Sequence, residues 1–266
     1  ANIFGTTTGL TLSSSATPGS HTAAFTAPVY SNQQGYDIIT ATRTISGTGS
    51  AANEITIANP LNWGSGNLTI NAVGNISLNA NLNSTAGNVV LTSSGGGLSG
   101  GASLIAANSL SVSAGTGINL NTEISTFNAL STASGNITIN QTGSIALPAF
   151  TNTQAPGDLT ISATGTVSVA NAVAAGGNIT LSGNRFENIY GAGALLAGSG
   201  KQWQVWSGNA DPFNATTSDV RSGLVYDYKQ YGATYGSSTA LGTGNGLLYS
   251  YAPTLTARLT GSVSKV

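Results

Sequence analysis

A five-residue pattern recurs through the middle of this 266-residue chain and constrains its fold more than any other feature. Each copy has a glycine, a small polar residue, and then an apolar, a polar and an apolar residue. The copies begin at Gly66, Gly74, Gly87, Gly135, Gly143, Gly157, Gly165 and Gly177. Starts at 66, 87 and 108 lie 21 residues apart, and starts at 135, 157 and 177 are separated by 22 and 20 residues. So regular a repeat predicts that equivalent residues stack on one another.

Apolar and polar residues alternate within each copy, over a short run bounded by glycine and asparagine. This pattern is typical of a short β-strand with one buried face, and the Gly-Asn pair suits a tight turn. Two or three such strands in each repeat make one coil of a solenoid, and coils bury their apolar faces by stacking. An antiparallel meander is the alternative, but a meander has no reason to repeat its turns. The sequence therefore predicts an all-β, right-handed parallel β-helix.

The alternation also assigns inward and outward positions along each predicted strand. The predicted core columns are Leu68, Ile70, Val89, Leu91, Ile137, Ile139, Leu159, Ile161, Ile179 and Leu181. The outward ladder of hydroxyl side chains is Thr69, Thr138, Thr160 and Thr180. An asparagine ladder at the turns comprises Asn67, Asn88, Asn136 and Asn178. Stacked amides stabilise such coils by hydrogen bonding. Regular threonine spacing is also found on ice-binding β-helices, which makes ice binding a minor alternative.

The step from 108 to 135 is 27 residues, a repeat plus about six residues, and we place the surplus as a loop insertion at 123–134. The β-helix is predicted to span residues 53–190 in six or seven coils. Residues 1–52 form strands or an N-terminal cap. Residues 191–266 hold two of the three Trp and six of the nine Tyr, which suggests a C-terminal cap or joint. The alternating run with Leu255, Ala257, Leu259 and Val263 is the predicted joint strand.

Charged residues are scarce, with seven Lys and Arg against eight Asp and Glu. A net charge of −1 offers no basic surface for nucleic acid, and no apolar run is long enough for a membrane-spanning helix. The only charges between residues 53 and 184 are Glu54, Glu123 and Asp158, and His21 is the only histidine. We therefore expect no catalytic residues, no cofactor and no metal. The spaced carboxylates Asp211, Asp219 and Asp227 would suit calcium, but solvated charges are the preferred interpretation.

Three segments of the predicted helix resemble a known protein family. Residues 55–63 (ITIANPLNW), 67–72 (NLTINA) and 74–79 (GNISLN) are similar to the β-helical passenger of filamentous-haemagglutinin-like exoproteins, which are bacterial adhesins of the two-partner secretion type. Residues 244–253 (GNGLLYSYAP) resemble the junction that follows such a helix. The Asn-Pro-Asn motifs of the family's secretion domain do not occur in this sequence. The chain is therefore expected to be an inner section of such a protein.

The resemblance implies a secreted protein of the bacterial cell surface or extracellular matrix. We expect a structural and adhesive segment, either a stiff stalk or a unit that self-associates end to end into fibres, with host-surface or matrix polysaccharide as a further partner. We do not expect an enzyme. A polysaccharide-binding or polysaccharide-cleaving β-helix is the alternative, and a surface cluster of carboxylates would support the cleaving form.

Overall fold

The computed structural model describes residues 10–13, 21–30, 36–45, 53–57, 60–151 and 153–254, with side chains from residue 54 onwards. Regular structure in these residues is β-strand throughout, and no helix is found among them. Parallel strands stack in about nine turns of roughly 21 residues, so the chain forms a β-solenoid. The all-β parallel architecture predicted from the repeat is confirmed.

The first strands lie at the N-terminal end of the stack. They are β1 (Leu10–Ser13), β2 (His21–Tyr30), β3 (Tyr36–Ile45) and β4 (Asn53–Ile57). β2 and β3 form an antiparallel pair, and β3 also pairs antiparallel with β4. β4 belongs to the first regular turn. An antiparallel hairpin therefore extends the sheet beyond the first regular turn, and within the described residues its strand β2 pairs only with β3.

The regular turns follow in chain order. Their strands are β5 (Leu61–Trp63), β6 (Asn67–Ala72), β7 (Ile76–Leu78), β8 (Leu82–Ser84), β9 (Asn88–Ser93), β10 (Leu98–Ala114) and β11 (Ile118–Thr132). The next are β12 (Ile137–Gln141), β13 (Ile145–Leu147), β14 (Leu159–Ala163), β15 (Thr166–Val169), β16 (Val173–Ala174), β17 (Ile179–Gly183), β18 (Arg185–Asn188) and β19 (Leu195–Leu196). β1 pairs parallel with β6 and so lies on the same wall.

Two vertical columns of apolar residues define the core. The first stack begins at Ile55 and continues through Ile76, Leu98, Ile118, Ile137, Leu159, Ile179 and Trp203. The second stack contains Leu68, Val89, Leu110 and Phe127. Both stacks lie inside the solenoid, where their side chains are almost completely removed from water. Seven levels of the first stack fall between residues 53 and 189, in agreement with the predicted number of coils.

The predicted loop insertion at 123–134 is wrong. Residues up to Thr132 belong to β11, and Ile124, Phe127 and Leu130 are buried in the core. The copy that begins at Gly135 stacks on the strand that begins at Ile118, not on the copy at 108. The apparent surplus arose from comparing strands on different walls. A turn contains more than one Gly-bounded strand, so sequence similarity alone does not say which copies are vertical neighbours.

The solenoid continues beyond the boundary predicted at residue 190. The last strands are β20 (Trp203–Ser207), β21 (Tyr228–Tyr231) and β22 (Gly246–Tyr249). β20 pairs parallel with β17, so the predicted cap carries further turns of the same sheet. β22 lies between β20 and β21, although it is last in the chain. β21 is consequently the outermost strand, and within the described residues it pairs only with β22.

Glycine is required at one corner in particular. Gly135 has a φ of +77°, and a Cβ there would lie 2.1 Å from the carbonyl oxygen of Thr116 in the previous turn. The strand spacing of a parallel stack, about 4.8 Å, leaves no room for a side chain between two such corners. The recurrent glycines of the repeat therefore permit close stacking as well as tight turning.

Candidate functional site

The ten predicted core residues are all buried, each with at most 1% of its surface exposed. They do not form one set of columns. Leu68, Ile70, Val89 and Leu91 lie in the second stack or beside it on β6 and β9, whereas the six residues from Ile137 to Leu181 lie along the first stack. The alternation was therefore sufficient to find the inside of each strand, but not to assign the strand to a wall.

The predicted threonine ladder divides for the same reason. Thr138, Thr160 and Thr180 are vertical neighbours on β12, β14 and β17. Thr69 lies on the other wall, where its neighbour in the next turn is Val90. The hydroxyl array is thus three residues long, and it ends at Gln204, the next vertical neighbour of Thr180. So short an array offers little regular surface for a lattice of ice.

The asparagine ladder also forms two separate series. On one wall, the Asn88 amide donates to Asn67 Oδ1 at 2.9 Å, and the Asn108 amide donates to Asn88 Oδ1 at 3.2 Å. On the other, Asn136 Oδ1 accepts from the Asp158 backbone N–H at 2.9 Å, and Asp158 Oδ1 accepts from the Asn178 backbone N–H at 2.7 Å. Each series ties one turn to the next, the structural role that amide ladders have in stacked coils.

Further ladders were not predicted. The Asn83 amide donates to Asn62 Oδ1 at 2.9 Å, and the Asn140 amide donates to Asn121 Oδ1 at 3.0 Å. Their signal in the sequence was the spacing of each pair, 21 and 19 residues. These residues lie outside the five-residue pattern or at its end, so a search for the pattern alone misses them.

A shallow polar groove of about 290 Å³ crosses the outer face of β13, β15 and β18. Hydroxyl groups of Ser144, Thr166 and Ser168 line it, together with an ion pair in which Arg185 Nη2 lies 3.3 Å from Glu187 Oε1. Such a partly exposed pair contributes at most about 1 kcal/mol. The groove holds one carboxylate, whereas glycoside hydrolysis ordinarily uses two.

The C-terminal turns carry a second apolar cluster on the outside of the sheet, here called the outer cluster. It consists of Trp206, Ala233 and Leu248, with Tyr228 and Ala240 packed against it. The outward faces of β20 and β22 are therefore apolar, and the segment 232–241 covers them. Burial raises the pKa of Tyr228, while its hydrogen bond from the Gln204 amide opposes the shift.

An aromatic group lies at the opposite side of the same turns. The rings of Tyr231 and Tyr249 are stacked, with their centres 5.6 Å apart. The centre of the Phe213 ring lies 5.2 Å from that of Tyr249. The Arg221 guanidinium lies 5.1 Å from the centre of the Phe213 ring. Burial raises the pKa of Tyr249 to about 12, and the charge of Arg221 opposes that shift. The Tyr249 hydroxyl is buried without a hydrogen bond of ordinary geometry in the described part of the chain, and the Arg221 guanidinium beside it stabilises its ionised form.

A pocket of about 210 Å³ adjoins the outer cluster, and we call it the Trp206 pocket. Trp206 and Tyr235 form its aromatic wall, with ring centres 5.8 Å apart in an edge-to-face arrangement. The Trp206 indole N–H is buried and has no acceptor within the described residues. The residues of this pocket come from four separate segments, so no sequence motif marks it.

The remaining predicted residues are dispersed. Asp219 accepts from the Phe186 backbone N–H at 3.1 Å and from the Asn209 amide at 3.2 Å, and Asp227 Oδ2 accepts from the Asn245 N–H at 2.6 Å. These carboxylates are engaged in local structure. His21 lies in β2. The joint strand predicted at Leu255, Ala257, Leu259 and Val263 lies outside the described residues.

Among the residues that the structure describes, no group of three or more His, Cys, Asp or Glu is placed to hold a metal ion. Nor does this part of the chain contain a helix with the length and apolar character needed to cross a membrane.

Comparison with protein-family models, with curated proteins and with solved structures finds no match for this chain. The class of this protein is therefore defined by its fold alone, which is a β-solenoid with an aromatic-rich C-terminal end.

Proposed function

We propose that this chain is a structural and adhesive segment of a secreted bacterial surface protein, with the solenoid acting as a stiff stalk. The similarity of residues 55–63, 67–72 and 74–79 to the passengers of filamentous-haemagglutinin-like adhesins supports this proposal. The location at the cell surface or in the extracellular matrix follows from the same similarity.

The observation that carries the proposal is the continuity of the core. One cluster of buried, contacting apolar residues extends from Ile55 in the first regular turn to Tyr249 in the last strand. The backbones of successive turns pair in register along the same length. Bending such a body would break backbone hydrogen bonds and open the core at the same time, so it resists both bending and extension.

The distribution of charge favours a stalk over an enzyme. Glu54, Glu123 and Asp158 are the only carboxylates of residues 53–184, and the polar groove beside Arg185 adds one more at Glu187. Acid–base catalysis needs titratable groups placed together around a reacting bond. We accordingly propose a role that depends on shape and surface rather than on a reaction.

Single-molecule force spectroscopy tests the stalk. The full chain is held by handles at its two ends and pulled, with the Ile137→Asp variant as an unfolded control. We expect a rigid body that does not lengthen until it unfolds abruptly. The control should extend gradually from the lowest forces, as a flexible chain does. Gradual extension of the natural sequence would contradict the proposal.

End-to-end association is a second form of the same role, and the position of β21 favours it. β21 is the outermost strand and pairs on one side only within the described residues. An unpaired strand edge is a template for another chain, and a head-to-tail contact that does not close produces a filament. Electron microscopy of concentrated protein should show rods longer than one molecule. A monomer at all concentrations would leave the isolated stalk as the better proposal.

A further inference from the structure

The Trp206 pocket lies where the segment after β21 crosses the outside of the solenoid. Its walls come from the end of β17 and the corner after it, from the end of β20, from residues 233–235 and from Ser250 after β22. We propose that this pocket binds a neutral sugar unit of a polysaccharide. The proposal goes beyond the stalk role, because it assigns a specific binding site to the C-terminal turns.

The aromatic wall is the first argument. Tyr235 is exposed over 38% of its surface, yet its ring is held edge-on against the buried Trp206 indole. An exposed aromatic ring beside a cavity provides an apolar surface for the C–H groups of a sugar ring, while its hydroxyl remains available for hydrogen bonds. Burial of this ring by a ligand would remove apolar area from water.

The polar side chains around the aromatic wall are uncharged, and one of them, Ser207, already accepts a hydrogen bond from the Asn209 N–H. Ser182, Asn184, Thr234 and Ser250 line the pocket, and their side chains make no hydrogen bond within the described part of the chain. Hydroxyl and amide groups both donate and accept, which matches the hydroxyl groups of a sugar. The residues that line the pocket carry no charge, so neither an acidic nor a basic ligand would find a counter-charge there.

The loop that closes the pocket is held in place before any ligand binds. The Thr234 N–H donates to Ser238 Oγ at 2.9 Å, and the Ser238 N–H donates back to the Thr234 carbonyl at 2.8 Å. The Ala233 N–H donates to the Tyr249 carbonyl at 2.9 Å, which fixes the loop to β22. A loop fixed in this way loses little conformational freedom on binding, which favours affinity.

The size of the pocket limits the ligand. Its volume of about 210 Å³ equals that of about seven waters at roughly 30 Å³ each, enough for one sugar ring. The pocket is open to the surface, so the rest of a polymer can continue outside it. A site of this size and composition suits recognition of one unit in a chain. It has no titratable acid–base pair in its lining, so we infer binding without cleavage.

Tryptophan fluorescence of the full chain tests the proposal, because Trp206 lies in the pocket wall. The probes are the neutral sugars cellotriose, maltotriose, mannotriose and N-acetylchitotriose, with trigalacturonate as the charged counterpart. We expect saturable binding of at least one neutral trisaccharide and at least tenfold weaker binding of trigalacturonate. Tyr235→Ala should lower the affinity for the neutral sugar by about tenfold or more, whereas Tyr235→Phe should change that affinity by no more than about threefold.

Two further variants keep the test specific. Asn184→Ala removes an exposed polar group from the pocket and should weaken binding by several-fold. Tyr226→Ala removes an exposed tyrosine that lies outside the pocket, beside Lys229, and should leave the affinity unchanged.

Several results would overturn the assignment. One is the absence of binding of any neutral trisaccharide up to about 10 mM. Another is an affinity for trigalacturonate equal to that for the neutral sugars. A third is an equal loss of affinity in Tyr235→Ala and Tyr226→Ala. Uptake of the apolar dye ANS at this site in place of sugar would show an apolar ligand and would overturn it too. The pulling experiment does not involve this pocket, so the stalk and the sugar site can fail independently.

Discussion

The turns before residue 202 and the strands after it bury apolar surface in different ways. In the regular turns, mainly Leu, Ile and Val fill the interior, with single aromatic residues at Trp63, Phe127, Phe150 and Phe186, and most outward positions carry polar residues. In the C-terminal strands the interior contains Trp203 and Tyr249, and the outward positions contain Trp206 and Leu248. Both faces of the last strands are thus apolar, whereas only the inner face of the earlier strands is.

This difference explains the order of the last strands. A sheet that is apolar on its outer face needs a cover, and the segment between β21 and β22 supplies it. The segment also returns the chain so that β22 enters between β20 and β21. The regular turns depend only on their vertical neighbours, while the C-terminal end depends on contacts between residues far apart in the chain. Four predictions test this contrast.

The largest effect is expected inside the regular turns. Ile137→Asp places a carboxylate in the first stack, between Ile118 and Leu159, where no water reaches it. The cost of burying an unpaired charge exceeds about 4 kcal/mol, so the protein should not fold. Circular dichroism should show loss of β-structure and of a cooperative melt. Thr138→Ala, on the outward side of the same strand, should change stability by less than about 1 kcal/mol. Equal melting of the two variants would contradict the assignment of the faces.

The same kind of substitution should act only locally at the C-terminal end. Leu248 is fully buried in the outer cluster, but the segment that covers it can lift away. Leu248→Asp should therefore open residues 232–241 at a cost of roughly 3 kcal/mol and leave the earlier turns folded. Hydrogen exchange should accelerate in this segment and stay slow in β12 and β14.

Leu241→Asp is the matched control, because Leu241 is exposed over 82% of its surface. It should leave exchange unchanged everywhere. Faster exchange along the whole solenoid in the Leu248 variant would show that the two regions are one cooperative unit.

The features that could be predicted from the sequence differ between the same two regions. In the regular turns, alternation and glycine spacing depend on local rules, so the fold, the buried residues and the number of coils were predicted. The vertical neighbour of each strand was not predicted, because Gly135 and Gly143 begin strands that are similar in sequence but lie on different walls. Only the three-dimensional stack distinguishes them.

Buried polar residues at the corners were also missed. Asn188 is completely buried, and its amide donates to the carbonyls of Gly191 and Arg221 at 2.8 and 2.9 Å. It ties the regular turns to a segment 33 residues later. The Trp206 pocket likewise joins four segments. Periodicity cannot reveal such contacts, because they depend on single residues that occur once.

A smaller difference in stability is expected between two glycine corners that differ in one respect. Gly135 and Gly143 both have a positive φ, +77° and +90°. A Cβ at Gly135 would meet the Thr116 carbonyl oxygen, whereas a Cβ at Gly143 meets nothing within 4 Å. Gly143→Ala should cost about 1 kcal/mol, for backbone strain alone. Gly135→Ala should cost about 2 kcal/mol more, because the turns must separate. Chemical denaturation measures both, and equal losses would show that the strain, and not the stacking, requires glycine.

The smallest effect concerns the buried hydroxyl of Tyr249 and appears only in alkali. Burial raises its pKa from 10.0 to about 12, so between these values the unfolded chain has released a proton that the folded chain retains. Release of that proton favours the unfolded state. The stability is therefore complete below about pH 10 and falls as the pH rises towards 12, by at most about 1.4 kcal/mol per pH unit. Tyr249→Phe removes the ionisable hydroxyl and keeps the ring, so at about pH 8 it should cost no more than the contact of that hydroxyl with Arg221, about 1 kcal/mol or less. At about pH 11 the variant should melt at a higher temperature than the natural sequence. Parallel pH profiles for the two proteins would mean that Tyr249 ionises without unfolding, and that the aromatic end admits water more freely than the regular turns do.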